Sequence, residues 1–126
     1  MKKIIETSNA PAPIGPYNQA VLKGDTLYVS GQIALNPTTM ELEMDTIENE
    51  TVQVMENLKA VLNASEMTFE NVVKTSIFLA DMNNFAKVNA IYGQYFDEKT
   101  APARETVQVS VLPKSVNIEI SLIASR

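Results

Sequence analysis

Short runs of alternating or β-branched residues along the chain predict six β-strands. Only Gly24-Asp25 separates the second predicted strand from the third, and a break of that length is typical of a hairpin. The proline- and glycine-rich stretch Asn9–Pro16 predicts an ordered loop, because proline removes backbone donors. The predicted strands are Lys3–Thr7, Tyr17–Lys23, Thr26–Ile33, Val72–Ala80, Arg104–Leu112 and Val116–Ser125.

Two further segments have apolar residues at the spacing of amphipathic helices. Asp45, with Glu48 three residues later, predicts an N-cap and a capping box for a helix over Thr46–Ala64. A second helix is predicted from the capping residues Asp81–Asn84 to about Asp97, and its apolar stripe is expected to lie in the core. That stripe comprises Phe85, Val88, Tyr92, Tyr95 and Phe96.

The order of elements is strand-strand-strand-helix-strand-helix-strand-strand. Strand runs broken by single helices favour an α+β fold in which both helices pack on one face of a sheet. A length of 126 residues suits one domain, residues 1–126, with a single core.

The last two predicted strands each have one apolar and one polar face. Alternation puts the valines of the first of them on the side of Glu105, and we expect this valine face to meet the helices. It also puts Arg104 and Glu119 together on the polar side. That side comprises Arg104, Thr106, Gln108, Ser110, Asn117, Glu119 and Ser121, with Thr26, Tyr28, Ser30 and Gln32 as a similar row on the third strand. Such a face is solvated, with Arg104 and Glu119 as a cross-strand ion pair, or it is an oligomer interface or a ligand site.

Composition removes several classes of function. The chain has no Cys and no His, which excludes thiolate nucleophiles, disulfides, Ser-His-Asp triads and the commonest metal ligands. Its net charge of −5, with scattered Lys and Arg, disfavours nucleic-acid binding. The start of the chain lacks the apolar region of a signal peptide, and no apolar run reaches the roughly 18 residues that span a bilayer. A soluble cytoplasmic protein, with no membrane partner, is therefore expected.

Several blocks in order along the chain resemble the Rid (YjgF) family. They are Ala12-Pro-Ile-Gly-Pro-Tyr-Asn-Gln-Ala, Tyr28-Val-Ser-Gly-Gln-Ile, Val88-Asn-Ala-Ile-Tyr-Gly-Gln-Tyr-Phe, Ala101-Pro-Ala-Arg-Glu-Thr-Val-Gln-Val, Leu112-Pro and Val116-Asn-Ile-Glu-Ile. Each block alone is weak, but together they are highly specific. The resemblance implies a chorismate-mutase-like homotrimer with its sites in clefts between subunits.

The resemblance also implies roles for individual residues. In the deaminating branch of the family, the position of Arg104 binds the substrate carboxylate, and that of Glu119 holds the hydrolytic water. A planar guanidinium suits bidentate binding of a carboxylate. Further matches to the cleft are Tyr17, Ser30 and Asn89 as side chains, and Gly31 and Thr106 as backbone contacts. For Tyr17, Ser30 and Asn89, a purely structural role stays open.

Three positions depart from the family pattern. Thr106 stands where many members have Cys, so no thiol can act there. Glu105 stands where many have a small residue, and alternation points it away from Arg104 toward the valine face, at a strand edge or near a partner. Ala101 replaces a bulky residue, which is expected to widen the pocket.

The implied reaction is hydrolysis of 2-imino acids, such as 2-aminoacrylate and 2-iminobutyrate, to 2-keto acids and ammonia. PLP-dependent serine and threonine dehydratases form these imines, so the expected role is to protect PLP enzymes; no metal or cofactor is expected in this chain. Arg104, Glu119 and Tyr17 would carry the catalysis. The main alternative is a non-catalytic module of the same fold that binds a 2-keto acid or an amino acid. A third, a ribonuclease or chaperone, is disfavoured by the charge and the lack of His.

Overall fold

The computed structural model describes residues 1–126 as one mixed six-stranded sheet with two helices on one face, which confirms the predicted α+β class. The elements are β1 Lys2–Ile5, β2 Ala20–Lys23, β3 Thr26–Gln32, α1 Ile47–Ala64, β4 Val72–Leu79, α2 Phe85–Tyr92, β5 Ala103–Gln108 and β6 Ile118–Ser125. The strand order is β1-β2-β3-β6-β4-β5, and only the β4–β5 pair is parallel. Neither helix combines the length and the apolarity that crossing a bilayer requires.

The core lies between α1 and the central strands. One face of β6 is fully apolar and buried, as predicted, while the apolar stripe of α1 covers it. The residues of these two surfaces are Ile118, Ile120, Leu122 and Ala124 on β6, and Val54, Leu58, Val61 and Leu62 on α1. The strand that carries Glu119 is therefore among the most firmly held parts of the chain.

The helix ends differ from the prediction. Thr46, not Asp45, is the N-cap of α1, since its Oγ1 accepts a hydrogen bond from the Asn49 amide at 3.0 Å. The expected capping box of Asp45 is thus wrong; that carboxylate accepts instead from the Thr46 amide and the Asn49 side chain. The second helix is shorter than predicted, because tight 3₁₀ turns replace the α-helix on either side of Phe85–Tyr92.

The faces of β5 are reversed from the prediction. Arg104 pairs with Thr75, a core residue that is 1% exposed, so Arg104 lies on the helix side of the sheet. Val107 and Val111 are 40% and 69% exposed and do not meet the helices. The parallel register of β5 against β4 determines that Arg104 lies on the helix side. There its guanidinium packs against aromatic side chains of α2. Phe85, expected in the core, is partly exposed beside Arg104.

A β-bulge changes the faces of β3. Val29 pairs with Leu122 and Gln32 pairs with Ile120, so Ser30 and Gly31 together oppose one residue of β6. The extra residue turns Gln32 onto the core side, where it is buried. Its predicted place in the outer polar row is therefore wrong.

Candidate active site

The first half of the candidate site is a cavity of about 350 Å³ at the bulge of β3. Tyr17, Ser30, Gly31 and Glu119 line it, together with apolar residues of the proline-rich loop. We call this cavity the Glu119 pocket. Four of the seven residues predicted for the site are thus brought together in one chain.

The Glu119 side chain is half-buried, lines the Glu119 pocket, and makes no hydrogen bond or ion pair within its own chain. Burial raises the pKa of its carboxyl above the ordinary value, because removal from water disfavours the charged form. A carboxylate with a raised pKa is closer to the range in which it accepts and returns a proton near neutral pH.

The proline-rich loop is fastened to the sheet by the polar residues that follow it. Ser30 Oγ donates to the Asn18 carbonyl at 2.6 Å, and the Ser30 amide donates to the Gln19 carbonyl at 2.9 Å. Tyr17, which is 48% exposed, accepts a long hydrogen bond of 3.4 Å from the Ile14 amide. Ser30 therefore has a clear structural role in addition to its place in the pocket lining.

The side chain of Gln19 holds the proline-rich loop in place, a role that the sequence analysis did not predict. It is 3% exposed; its amide donates to the carbonyls of Thr7, Ala10 and Pro11, and its oxygen accepts from the Thr7 amide. Proline has no backbone N–H, so the loop offers few backbone donors to these carbonyls. A side chain must therefore donate the hydrogen bonds that they need. A Gln three residues after the proline-rich loop is the signal that would have indicated it.

The second half of the candidate site surrounds Arg104 on the opposite side of the sheet. A cavity of about 260 Å³, which we call the Arg104 pocket, is lined by Arg104, Asn89, Tyr92 and Ala101, among others. Arg104 Nη1 donates to Asn89 Oδ1 at 2.8 Å. The guanidinium carbon lies 5.0 Å from the ring centroid of Tyr92 and 5.6 Å from that of Phe85. These distances are within the range of cation–π attraction.

Arg104 is half-buried, yet it forms no ion pair with a carboxylate of its own chain. The rings and Asn89 hold the guanidinium in place while most of its five donors stay free. Tyr92 is itself fixed by a buried 2.7 Å hydrogen bond with the Thr75 hydroxyl, and burial raises the pKa of its phenol. The arrangement presents a positioned cation to an external anion.

Thr106 lies two residues beyond Arg104, on the same face of β5. Its Oγ1 is buried and has no hydrogen-bond partner. An unsatisfied buried hydroxyl costs stability, because it loses its hydrogen bonds to water.

The structure contradicts the expectation that Arg104 and Glu119 share a face. Glu119 pairs with Phe78 on the outer face of the sheet, whereas Arg104 pairs with Thr75 on the helix face. A cross-strand ion pair between the two charges within one chain is therefore excluded. The physical reason is that β4 separates β5 from β6, and its parallel pairing with β5 sets Arg104 on the inner side.

Glu105 points away from Arg104, as predicted, and it has found partners. Its carboxylate forms an ion pair with Lys74 Nζ at 2.7 Å and accepts a hydrogen bond from the Ser76 hydroxyl. Lys74 and Ser76 hold the pKa of this carboxyl below its ordinary value. Both side chains of the pair are partly exposed on the outer face, so the pair stabilises the fold little by itself.

A buried carboxylate that the sequence did not single out supports the strand of Glu119. Glu50, in the first turn of α1, is fully buried and accepts hydrogen bonds from the amide and side chain of Asn117, both at 2.8 Å. This contact fixes the chain just before β6. No cluster of three acidic, His or Cys side chains in the chain has the arrangement of a metal site.

Comparison with known proteins identifies the family. A family model described as Endoribonuclease L-PSP matches residues 7–126. A RutC family protein of Synechocystis is 56% identical over 97% of this chain and 95% of its own length. The 2-iminobutanoate/2-iminopropanoate deaminase of mouse is 45% identical, over 98% of this chain and 91% of its own length.

Solved structures agree with this assignment. A Rid family protein of unknown function from Yersinia pestis has a TM-score of 0.96 and 48% identity, and the match covers 100% of both chains. TdcF of E. coli, solved with bound serine, has a TM-score of 0.92 and 43% identity over 98% of both chains. The resemblance seen in the sequence is therefore confirmed, and the chain belongs to the Rid family.

Proposed function

We propose that this protein hydrolyses reactive 2-imino acids to 2-keto acids and ammonia, at sites assembled between copies of the chain. One observation carries the proposal: Arg104 and Glu119 are each half-buried without a counter-ion, on opposite faces of one sheet. A cation that binds carboxylates and a carboxylate suited to proton transfer are the two groups that this hydrolysis needs. The mouse deaminase supports the same chemistry.

Assembly of the site follows from its division between two faces. Within one chain the two charges cannot act on the same small molecule, but two neighbouring copies can bring the Arg104 pocket of one against the Glu119 pocket of the other. A closed ring built from one repeated contact has this property, and a homotrimer is the form we propose. The outer sheet face is suited to the contact, since Tyr28, Val73 and Val107 are exposed there or beside it.

The carboxylate of the substrate would bind the free donors of Arg104, while Asn89 and the two aromatic rings keep the guanidinium in register. Anchoring the carboxylate fixes the position of the adjacent C=N carbon, which is the atom that water attacks. The small side chain of Ala101 leaves room in the Arg104 pocket. Thr106 would add a backbone contact beside Arg104, and Gly31 would add one from the other half of the site.

Glu119 would hold the water and accept its proton. The imine reacts in its protonated form: as the C–O bond forms, the electron pair of the C=N bond moves to the cationic nitrogen, which leaves a carbinolamine with a neutral amino group and a protonated Glu119. That proton then passes to the amine, the C–N bond breaks, and Glu119 takes the proton of the hydroxyl as the keto group forms. Glu119 returns to the carboxylate form by passing this proton to the departing ammonia, which leaves as ammonium. Tyr17 would order the water or the substrate at the mouth of the pocket. None of these reaction steps needs a thiol or an imidazole.

PLP-dependent serine and threonine dehydratases would supply the substrates, 2-aminoacrylate and 2-iminobutyrate. These imines also hydrolyse spontaneously, so the role that we propose is to shorten their lifetime and thereby protect other PLP enzymes. The chain itself would need no cofactor.

A second candidate is a module that binds 2-keto acids or amino acids without catalysis. The serine bound to the E. coli relative favours it, because the same cleft would take such a ligand. Arg104 is needed in both cases, whereas Glu119 is needed only for hydrolysis. Ribonuclease activity, which the family description suggests, is disfavoured by the net charge of −5 and the absence of His.

A coupled assay tests the proposal. A threonine dehydratase generates the imine in place, and the rate of 2-ketobutyrate formation is followed with the wild type and with Arg104→Ala. The wild type should accelerate the reaction, and Arg104→Ala should remove the acceleration without dissociating the oligomer. An intact wild-type oligomer that binds 2-ketobutyrate in calorimetry but does not accelerate the reaction would establish the binding module instead.

A further inference from the structure

Gly31 is a glycine whose backbone conformation does not require glycine. Gly24 is the glycine with a positive φ, at +60°, and it sits in the β2–β3 turn where such a conformation is expected. Gly31 lies in the bulge of β3 with no such angle. The reason for a missing side chain at Gly31 must therefore be space.

The space belongs to Glu119. A Cβ atom on Gly31 would lie 2.8 Å from Cδ and 3.1 Å from Cγ of Glu119, which is closer than side-chain atoms normally approach. At the other three glycines the same atom would meet nothing closer than 3.5 Å. Gly31 is thus the one glycine of this chain whose Cβ position is already occupied by another side chain, that of Glu119.

We propose that Gly31 is a positioning residue, which leaves room for the Glu119 carboxylate to lie against the bulge of β3. The inference rests on the proposed hydrolysis, because it assigns Gly31 a role through Glu119. A carboxylate seated in this way has fewer rotamers and less contact with water than one on an open strand. The bulge contributes by turning Gly31, rather than a residue with a side chain, toward the pocket.

The position of the Glu119 carboxylate against Gly31 also explains its raised pKa. Burial is what raises the pKa of this carboxyl, and neither Lys nor Arg forms an ion pair with it in its own chain. On the same face of the sheet, Lys74 of β4 and Glu105 of β5 are paired with each other. A displaced Glu119 would regain water and with it an ordinary pKa.

A different role for Gly31 makes a different prediction. If Gly31 acted only by donating its own backbone amide to the substrate, replacement by Ala would keep that amide and a shorter acid at 119 would bring no recovery. If it acts through Glu119, the two residues form one functional unit, and the effects of changing both are not additive.

The experiment compares Gly31→Ala, Glu119→Asp, Glu119→Gln and the doubles Gly31→Ala/Glu119→Asp and Gly31→Ala/Glu119→Gln in the dehydratase-coupled assay. Gly31→Ala should lower kcat by about tenfold or more, and it should cause little further loss in the Glu119→Gln background. Shortening the acid should relieve the clash, so Gly31→Ala/Glu119→Asp should be faster than Gly31→Ala. Equal fractional losses from Gly31→Ala in the wild-type and Glu119→Gln backgrounds would overturn the proposal.

Two controls keep the test decisive. Affinity for 2-ketobutyrate, measured by calorimetry, should change little in Gly31→Ala, because Ala keeps the backbone amide at position 31 and Arg104, the proposed carboxylate anchor, lies in the other half of the site. If Gly31→Ala does not fold, recovery of folding in the double with Glu119→Asp supports the steric argument, and no recovery contradicts it. A titration of Glu119 by carbon-13 NMR needs no catalysis: its pKa should fall toward the ordinary value in Gly31→Ala, and an unchanged pKa would contradict the proposal even if the wild type proved inactive.

Discussion

The Arg104 pocket and the Glu119 pocket hold opposite charges by different physical means. Arg104 lies on the edge strand β5, where a 2.8 Å hydrogen bond to Asn89 and two aromatic rings hold the guanidinium in position. Glu119 lies on the central strand β6 without a partner, and burial disfavours its charge. The difference indicates separate tasks: one pocket keeps a permanent cation for anchoring, and the other keeps an anion that is easily neutralised for proton transfer.

The two pockets also differ in how firmly the surrounding structure supports their charged residues. Glu119 is supported by the core on one face of its strand and by the Glu50–Asn117 hydrogen bonds before it. Arg104 depends on the eight-residue helix α2 and on an edge strand. The position of Glu119, the proposed proton-transfer group, is therefore held more rigidly than that of Arg104, the proposed anchor.

The largest effect is expected for Glu119→Gln. The amide has the same shape but cannot accept a proton from water, so kcat should fall by about 100-fold or more, while the affinity for 2-ketobutyrate should stay close to that of the wild type. Initial rates in the coupled assay and calorimetry with the keto acid measure the two quantities. A comparable loss in both would show that the two pockets do not divide the work as described.

Arg104→Lys should have the next largest effect. Lysine keeps the charge but loses the planar fork and the stacking on Phe85 and Tyr92, so kcat/KM should fall by about tenfold or more. The loss should appear mainly as a higher KM or a weaker 2-ketobutyrate affinity. Wild-type affinity in this variant would mean that a simple positive charge is sufficient and that the rings do not matter.

Thr106→Val should stabilise the protein, since it removes a buried hydroxyl without a partner. The expected gain is about 1 kcal/mol in the free energy of unfolding, measured by chemical denaturation. Thr75→Val is the matched control on the neighbouring strand. Its hydroxyl bonds to Tyr92, so this variant should lose about 1–3 kcal/mol. Equal changes in the two variants would contradict the assignment of an unsatisfied hydroxyl.

The smallest effect is a dependence of stability on pH. Because the pKa of Glu119 is raised in the folded state, its protonated form stabilises the protein below the ordinary carboxyl pKa, and that contribution is lost as the pH rises through the folded-state pKa. Glu119→Gln should therefore melt at a higher temperature than the wild type at neutral pH, and the difference should shrink in acid. A melting curve series from pH 4 to pH 8 checks the sign; a destabilised variant at pH 7 would contradict it.

The sequence was sufficient for the class and order of the elements, because apolar periodicity reports which face each helix and most strands bury. It failed where tertiary register decides the face. The alternation of β5 was correct, but which side meets the helices depends on pairing with β4, and Val107 points outward. The bulge at Ser30-Gly31 likewise leaves no mark in the periodicity, so Gln32 was assigned to the wrong side.

The site could be predicted only in part for the same reason. Family resemblance selected Tyr17, Ser30, Gly31 and Glu119, which the structure brings together around one cavity. It selected Arg104 as well, but parity in a single chain could not show that this residue lies on the opposite face. Contacts between distant parts of the chain, such as that of Glu50 with Asn117, have no local signal at all.

The central claim is that one site takes Arg104 from one subunit and Glu119 from another, and mixed oligomers test it directly. Arg104→Ala and Glu119→Gln chains are co-expressed with different tags, and oligomers that contain both are isolated and assayed. Each parent should be nearly inactive, but each mixed trimer should have one intact site in three, with activity restored to about a third of the wild-type value. Mixed oligomers as inactive as their parents would contradict the account, since every site would then draw both residues from one chain.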